Sequence, residues 1–340
     1  MSDRHTIAMV TFEGVQPLDV SGPHEVFAGA NSVLDDQGRA GPRYDLRLVT
    51  AHPGIVRGES GLAFHVPDGL GTLDGEAIHT LLLPGGFGVR AAARDEGLVT
   101  WIRDTAARVD RTVCVCTGTF LAAAAGLTAG RRVTTHWARA DALAAAHPDT
   151  VVDPEPIYVR DGDLWTSAGV TAGIDLCLAL LEQDHGADVA QIVARWLVVF
   201  LRRPGGQTQF AAAVWSEPAE REPIRAAQDL VHADPGAALT VPQLARHAGL
   251  SARHFTRLFH RQVGVSPARY VERIRVDAAR RLLETDRAGV AAVAAHCGFG
   301  SPETMRRAFL RTVGVAPDHY RRHFGPTVST TVSTTVTQES

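Results

Sequence analysis

Apolar positions along this 340-residue chain follow one pattern in the first two thirds and another in the last third. Short, nearly continuous apolar runs come first, at residues 6–12 (TIAMVTF), 44–50 (YDLRLVT), 78–83 (IHTLLL) and 111–116 (RTVCVC). Runs of this length, rich in Val, Ile and Thr, predict strands. Ala-rich stretches at 22–33, 89–108 and 119–126 predict helices between some of them. Strands alternating with helices imply a mostly parallel sheet with helices on both faces. In such sheets, ligands sit beyond the C-terminal ends of the strands. Residues 187–203 continue the helical pattern, and Pro204, Gly205 and Gly206 stop it.

In the last third the period becomes helical throughout. Phe255, Leu258 and Phe259 fall at i, i+3 and i+4 behind Ser251, which predicts a capped helix over 252–262 with one apolar face. Met305, Ala308 and Phe309 repeat that face behind Ser301 and Pro302. Shorter helices are expected at 224–232 and 241–247, and a long one at 266–285. The repetition extends further: FHRQVGVSPARY at 259–270 returns as FLRTVGVAPDHY at 309–320. Each copy closes a helix-turn-helix unit whose second helix keeps one side for anchoring and leaves the other polar. Arg253, His254, Thr256, Arg257 and Arg261 occupy that polar side in the first unit. Glu303, Thr304, Arg306, Arg307 and Arg311 occupy it in the second. A polar, cationic helix face of this kind suits the major groove of duplex DNA. The long helix between the units can hold them about 34 Å apart, one DNA turn.

Charge sharpens this division. Residues 224–325 carry 16 Arg against 8 acids, whereas residues 1–223 carry 18 Arg against 28 acids. An acidic body with a basic C-terminal domain points to a nucleic-acid partner. Four cysteines in a chain this long do not make a disulfide framework. No run of 18 uncharged apolar residues occurs, so no membrane span is expected, and the protein is expected in the cytoplasm.

The candidate chemistry of the first domain lies at expected strand ends. Cys116-Thr117-Gly118 follows a strand and opens a tight turn into a helix, the geometry that exposes a nucleophile above a sheet. A helix N-terminus there would favour the thiolate. Gly85 and Gly86 follow the LLL run, where bare backbone can approach a ligand or donate amides to an oxyanion. His136 can face the cysteine, and Asp19 lies just before a helix expected to begin near Pro23. Cys114 stands two residues before Cys116, where a continuous strand would turn both to one side. No metal-ligand spacing stands out, so neither a metal nor a cofactor is expected.

The segment VCVCTGTFLAAAAGLTAGRRVTTHW resembles the nucleophile-elbow region of the DJ-1/PfpI superfamily, the class I glutamine amidotransferase-like fold. FEGVQPLDVSGPHEVF, LLLPGGFG and SAGVTAGIDLCLALLEQDHG look like the GlxA-like branch, which is fused to a DNA-binding domain. The resemblance implies that Cys116, His136 and Asp19 fill the superfamily's reactive positions, with Gly85, Gly86 and Thr117 beside them. The last third resembles the AraC/XylS DNA-binding domain over residues 224–324, down to the closing GVAPDHYRRHF.

The expected architecture is therefore an α/β DJ-1/PfpI-like domain at 5–204, a linker at 205–223, an all-α domain of two helix-turn-helix units at 224–324 and a disordered tail at 325–340. The expected function is a sequence-specific transcriptional regulator. Its expected partners are double-stranded DNA, a second copy joined through the N-terminal domain, and a small-molecule effector. A cysteine-dependent enzyme, isocyanide hydratase-like or glyoxalase/deglycase-like, stays open as the alternative. The same three groups would serve a ligand pocket or a reaction.

Overall fold

The computed structural model describes residues 4–201, 206–207, 210, 219 and 222–325. It divides the chain into two compact units, Met1–Ala211 and Ala212–Ser340.

The first unit begins with β1 (Arg4–Thr11), α1 (Pro17–Asp36), β2 (Arg43–Thr50), β3 (Gly54–Arg57), β4 (Ala63–Val66) and β5 (Ile78–Leu83). It continues with α2 (Val89–Ala92), α3 (Glu96–Ala106), β6 (Arg111–Cys114), α4 (Thr119–Ala124), β7 (Arg132–Val133) and α5 (Ala140–Ala146). β8 (Val151–Val152), β9 (Tyr158–Asp161), β10 (Leu164–Ser167), α6 (Ala172–His185) and α7 (Ala187–Trp196) complete it. The main sheet runs β2-β1-β5-β6-β10-β9; every neighbouring pair is parallel except β10 with β9.

Alternation along β1 explains why its run is apolar throughout. Ile7 and Met9 join Leu82 and Val113 on the face that meets α1, α6 and α7. Ala8 and Val10 join Leu81 and Leu83 on the face that meets Leu98 and Ile102 of α3 and Leu121 of α4. A strand buried on both sides has no polar side to show.

Several boundaries differ from the sequence expectation, each for a local reason. The first helix starts at Pro17 rather than near Pro23: Gln16 Oε1 accepts the Leu18 amide at 3.2 Å and Pro17 takes the first turn, leaving Pro23 inside the helix. This puts Asp19 within the first turn. The stretch 89–108 is two helices, because Asp95 caps a new start through the Leu98 amide at 3.0 Å. Within the described part of the stretch 187–203, which ends at residue 201, the helix stops at Trp196. β6 ends at Cys114, so Cys114 and Cys116 do not share a side: each packs in a different core layer.

Part of the stretch expected as a linker is folded. Gln207 is 2 % exposed and hydrogen-bonded into the first unit, and Glu222 opens α8 (Glu222–Ala233) of the second. Most of the segment between them, and the tail from residue 326, lie outside the described residues.

The second unit contains α8, α9 (Val241–His247), α10 (Ala252–Val263), α11 (Pro267–Thr285), α12 (Val290–His296), α13 (Pro302–Val313) and α14 (Pro317–Phe324). Its two cores share α11. Val271 and Ile274 pack with Phe255 and Phe259, while Val276, Ala279 and Leu283 pack with Met305 and Phe309. The 19 residues of α11 span about 28 Å and hold the halves apart. The repeated residues do the same work twice. Phe259 meets Tyr270 edge-on at 5.2 Å between ring centroids, and Phe309 meets Tyr320 edge-on at 5.3 Å. Gly264 (φ 79°) and Gly314 (φ 83°) end their helices in the left-handed conformation, which a glycine adopts without strain.

Candidate functional sites

Cys116 is the point where the chain leaves the sheet. It follows β6, has φ 57° and starts a three-residue 3-10 turn before α4. Positive φ strains a side-chain-bearing residue, and the surroundings hold this one in place. A Cβ on Gly118 would overlap Leu83 O, and one on Gly85 would lie 2.6 Å from the Thr117 amide. Both glycines are thus required by close backbone approach. Gly118→Ala is expected to lower stability by about 1–3 kcal/mol, read from denaturant unfolding.

Facing the elbow is a second strained residue, Val170, at φ 51°. Asp19 sits beneath both and is 0 % exposed. Its Oδ2 accepts the Gly85 amide at 2.9 Å. Its Oδ1 is buried without a hydrogen bond, and the Val170 amide and the Cys116 thiol lie near the carboxyl. Burial, helped by the charge of Glu59, raises the Asp19 pKa to about 7, against the opposing pull of the Gly85 and Val170 amides. The carboxyl is therefore part neutral at pH 7.

The same burial, with Asp19 adding to it, pushes the Cys116 thiol up to about 12. This corrects the expectation of a favoured thiolate. The Thr117 and Val170 amides do favour the anion, but loss of water outweighs them. The resting group is a thiol.

His136 lies across from the elbow. A Cβ on Gly169 would lie 2.5 Å from His136 Cδ2 and 3.3 Å from Cys116 Sγ, so both side chains close on one glycine. His136 Nδ1 accepts the Ala138 amide at 3.2 Å, which leaves the proton of the neutral ring on Nε2. Burial first, and the charge of Arg139 second, lower its pKa.

Cys116, Thr117, His136 and Gly86 line one cavity of about 420 Å³. Asp19 and Gly85 stand behind its wall. The Gly86 amide donates to Thr117 Oγ1 at 3.0 Å, so it is engaged rather than free for an oxyanion. Sequence reasoning missed Gln16, Glu59, Phe87, Arg90, Arg139 and Val170 in this lining. Glu59 accepts from Gln16 Nε2 at 2.6 Å and from the Phe87 amide at 2.7 Å. The guanidinium groups of Arg90 and Arg139 make no ion pair or hydrogen bond among the described residues.

At the opposite end of the sheet, His5, His79 and Asp110 bring donor atoms within 4.8 Å of one another. The Thr6 amide donates to His79 Nδ1 at 3.1 Å, so Nε2 carries that ring's proton and His79 has no lone pair left for a metal.

The second candidate surface is the pair of helices α10 and α13. Phe255, Leu258 and Phe259 are buried; Arg253, His254, Thr256, Arg257 and Arg261 are exposed. Met305, Ala308 and Phe309 are buried at the matching positions; Glu303, Thr304, Arg306, Arg307 and Arg311 are exposed. Both helices start on a serine: Ser251 Oγ accepts the His254 amide at 3.4 Å, and Ser301 Oγ accepts the Thr304 amide at 3.1 Å. Their charges differ in freedom. Arg306 pairs with Glu303 at 2.7 Å and Arg311 with Glu272 at 2.8 Å, while Arg253, Arg257 and Arg261 have no such partner among the described residues.

Comparison with known proteins agrees with both halves. The DJ-1/PfpI family matches residues 5–183, and a helix-turn-helix domain matches residues 244–323. An HTH-type transcriptional regulator of Mycobacterium tuberculosis is 37 % identical over 263 residues, 74 % of this chain and 97 % of that protein. An isonitrile hydratase of Pseudomonas putida is 35 % identical over 187 residues, 55 % of this chain and 75 % of that protein. The crystal structure of a ThiJ/PfpI family protein from Pseudomonas syringae matches with a TM-score of 0.52 at 26 % identity, covering 73 % of this chain and 92 % of that one. Among the described residues no helix is long and apolar enough to cross a membrane. The chain belongs to the DJ-1/PfpI family, in the branch that joins this domain to the AraC-type helix-turn-helix of transcriptional regulators.

Proposed function

We propose that this regulator reads duplex DNA through the exposed faces of α10 and α13, and that the cavity at Cys116 takes the effector that controls it. The observation that carries the DNA reading is the repeated exposure pattern of the two helices, polar at matching positions and anchored at matching positions. Arg253, His254, Thr256, Arg257 and Arg261 take one groove segment, and Glu303, Thr304, Arg306, Arg307 and Arg311 the next.

The cavity is suited to a small polar molecule with an anionic group. Its acid, Glu59, is engaged on both oxygens, which leaves Arg90 and Arg139 as the charges that want a partner. Phe87 and Phe120 supply apolar surface beside them. A screen of small metabolic acids, read by unfolding temperature and by DNA affinity, tests this. A compound that shifts both supports the sensor, and a screen that shifts neither removes it.

The regulator acts as a homodimer joined through its first unit. Trp196 (55 %) and Val198 (90 %) are exposed two residues apart, large apolar side chains at the end of α7 that a second copy could cover. Light scattering of the full chain is expected to give twice its 36.3 kDa mass.

One observation favours a second reading. Asp19, with a pKa of about 7, lies against the Cys116 thiol, so an acid–base group and a nucleophile adjoin at neutral pH. With an isonitrile hydratase among its relatives, the chain can be tested for isonitrile turnover. Turnover that is lost in Cys116→Ala would make the first unit an enzyme.

A further inference from the structure

Gln207 lies in the stretch that reads as a linker, yet its side chain is enclosed by the first unit. Its Nε2 donates to Thr134 Oγ1 at 2.8 Å, Thr135 O at 3.0 Å and Pro156 O at 3.1 Å. Its Oε1 accepts the Trp137 amide at 2.9 Å, and its own backbone amide donates to Glu155 O at 2.8 Å. Three acceptors share two N–H hydrogens, so one of these bonds is three-centred.

The bonds straddle His136. Thr135 O lies just before it and the Trp137 amide just after. The same strip is tied to the elbow from the cavity side. Thr135 Oγ1 donates to Cys116 O at 2.8 Å, and Thr119 Oγ1 donates to Thr134 O at 3.0 Å. A single strip of backbone is therefore gripped by the elbow on one side and by Gln207 on the other. Withdrawing Gln207 would leave buried backbone groups without partners, which makes the grip close to all-or-none.

We propose that Gln207 is a positioning residue that couples the cavity to DNA binding. An occupant seated against Cys116 and His136 shifts the strip at 134–137, breaks the Gln207 grip and thereby changes the affinity of the protein for DNA. This rests on the sensor reading of the cavity and adds the route by which its state leaves the first unit.

The test uses the full chain and iodoacetamide as a covalent occupant of the cavity. Cys116 is the intended target because it lines the cavity and is 7 % exposed, whereas Cys114, Cys177 and Cys297 are 0 to 1 % exposed. The reaction is run at alkaline pH, since burial raises the Cys116 thiol to about 12 and the thiolate is the attacking form. Mass spectrometry confirms that Cys116 alone is modified. DNA selected by the unmodified protein is the probe. Alkylation is expected to change wild-type affinity for it about fivefold or more. Gln207→Ala is expected to show the alkylated affinity from the start and to change no further. Should Gln207→Ala not fold, Gln207→Glu carries the same expectation, since it keeps the acceptor for Trp137 and loses the donors. If a folded variant responds to alkylation by the wild-type factor, the coupling role is wrong. If verified alkylation leaves wild-type affinity unchanged, the sensor reading itself fails and the proposal falls with it.

Discussion

Replacing both Arg257 and Arg307 by alanine is expected to weaken binding to the selected DNA by about a hundredfold or more, with the unfolding temperature unchanged. Both side chains are exposed, at matching positions one residue before a buried Leu258 or Ala308. The Arg257 guanidinium makes no ion pair or hydrogen bond among the described residues, and that of Arg307 is 3.4 Å from the exposed Glu303. Surface changes of this kind shift stability by no more than about 0.5 kcal/mol, whereas each arginine on a base edge contributes about 1–3 kcal/mol to recognition. Equilibrium binding across a salt series separates the two roles an arginine can take. Removing one that bonds a base edge relaxes sequence preference; removing one that bonds a phosphate lowers the salt slope by about one. Unfolding of the double variant would mean that these residues hold the fold instead.

The second large effect concerns Asp19. Its folded-state pKa is raised from 3.8 to about 7, chiefly by burial. Between these values the folded protein holds a proton that the unfolded chain has lost. The contribution of Asp19 to stability therefore falls as pH rises through this window and levels off above about 7, against the opposite contribution of the histidines whose pKa burial lowers. A tenfold change in proton affinity is worth about 1.4 kcal/mol, so the cost above pH 7 is on the order of a few kcal/mol. Asp19→Asn removes the charge and keeps the acceptor for the Gly85 amide. Relative to wild type it is expected to gain stability steadily from pH 4 to pH 8 and to be the more stable of the two at pH 8. Urea unfolding at pH 4, 6 and 8 reads this directly. A stability difference between Asp19→Asn and wild type that is the same at all three pH values would show that folding does not raise the proton affinity of this carboxyl.

The parts of this structure legible in the sequence are those set by periodicity and by small punctuating residues. The four strand runs correspond to β1, β2, β5 and β6, and the serine caps, the Gly264 and Gly314 stops and the α9 limits follow local rules. The strands β3, β4 and β7 to β10 are short and carry no lasting alternation, so nothing local announces them. Cys116 stood out because it follows the strong run of β6, whereas His136, after the two-residue β7, and Asp19, inside the first turn of α1, were singled out chiefly through the family resemblance. The electrostatics of the site were not legible. Whether a thiol at a turn becomes a thiolate depends on how much water reaches it, and no spacing encodes that. Val170 was hidden because a β-branched residue at positive φ contradicts every local preference. Gln207 was hidden because its partners lie 51 to 73 residues away in sequence.

The central claim is that two matching helix faces read DNA. Selection of duplex fragments from a genomic library by the full chain tests it most directly. Enrichment of a few sites of about 17 base pairs or more is expected, each protected in blocks one helical turn apart, with binding that weakens steeply as salt rises. Recovery of fragments with no shared sequence, bound with one uniform affinity, would contradict it.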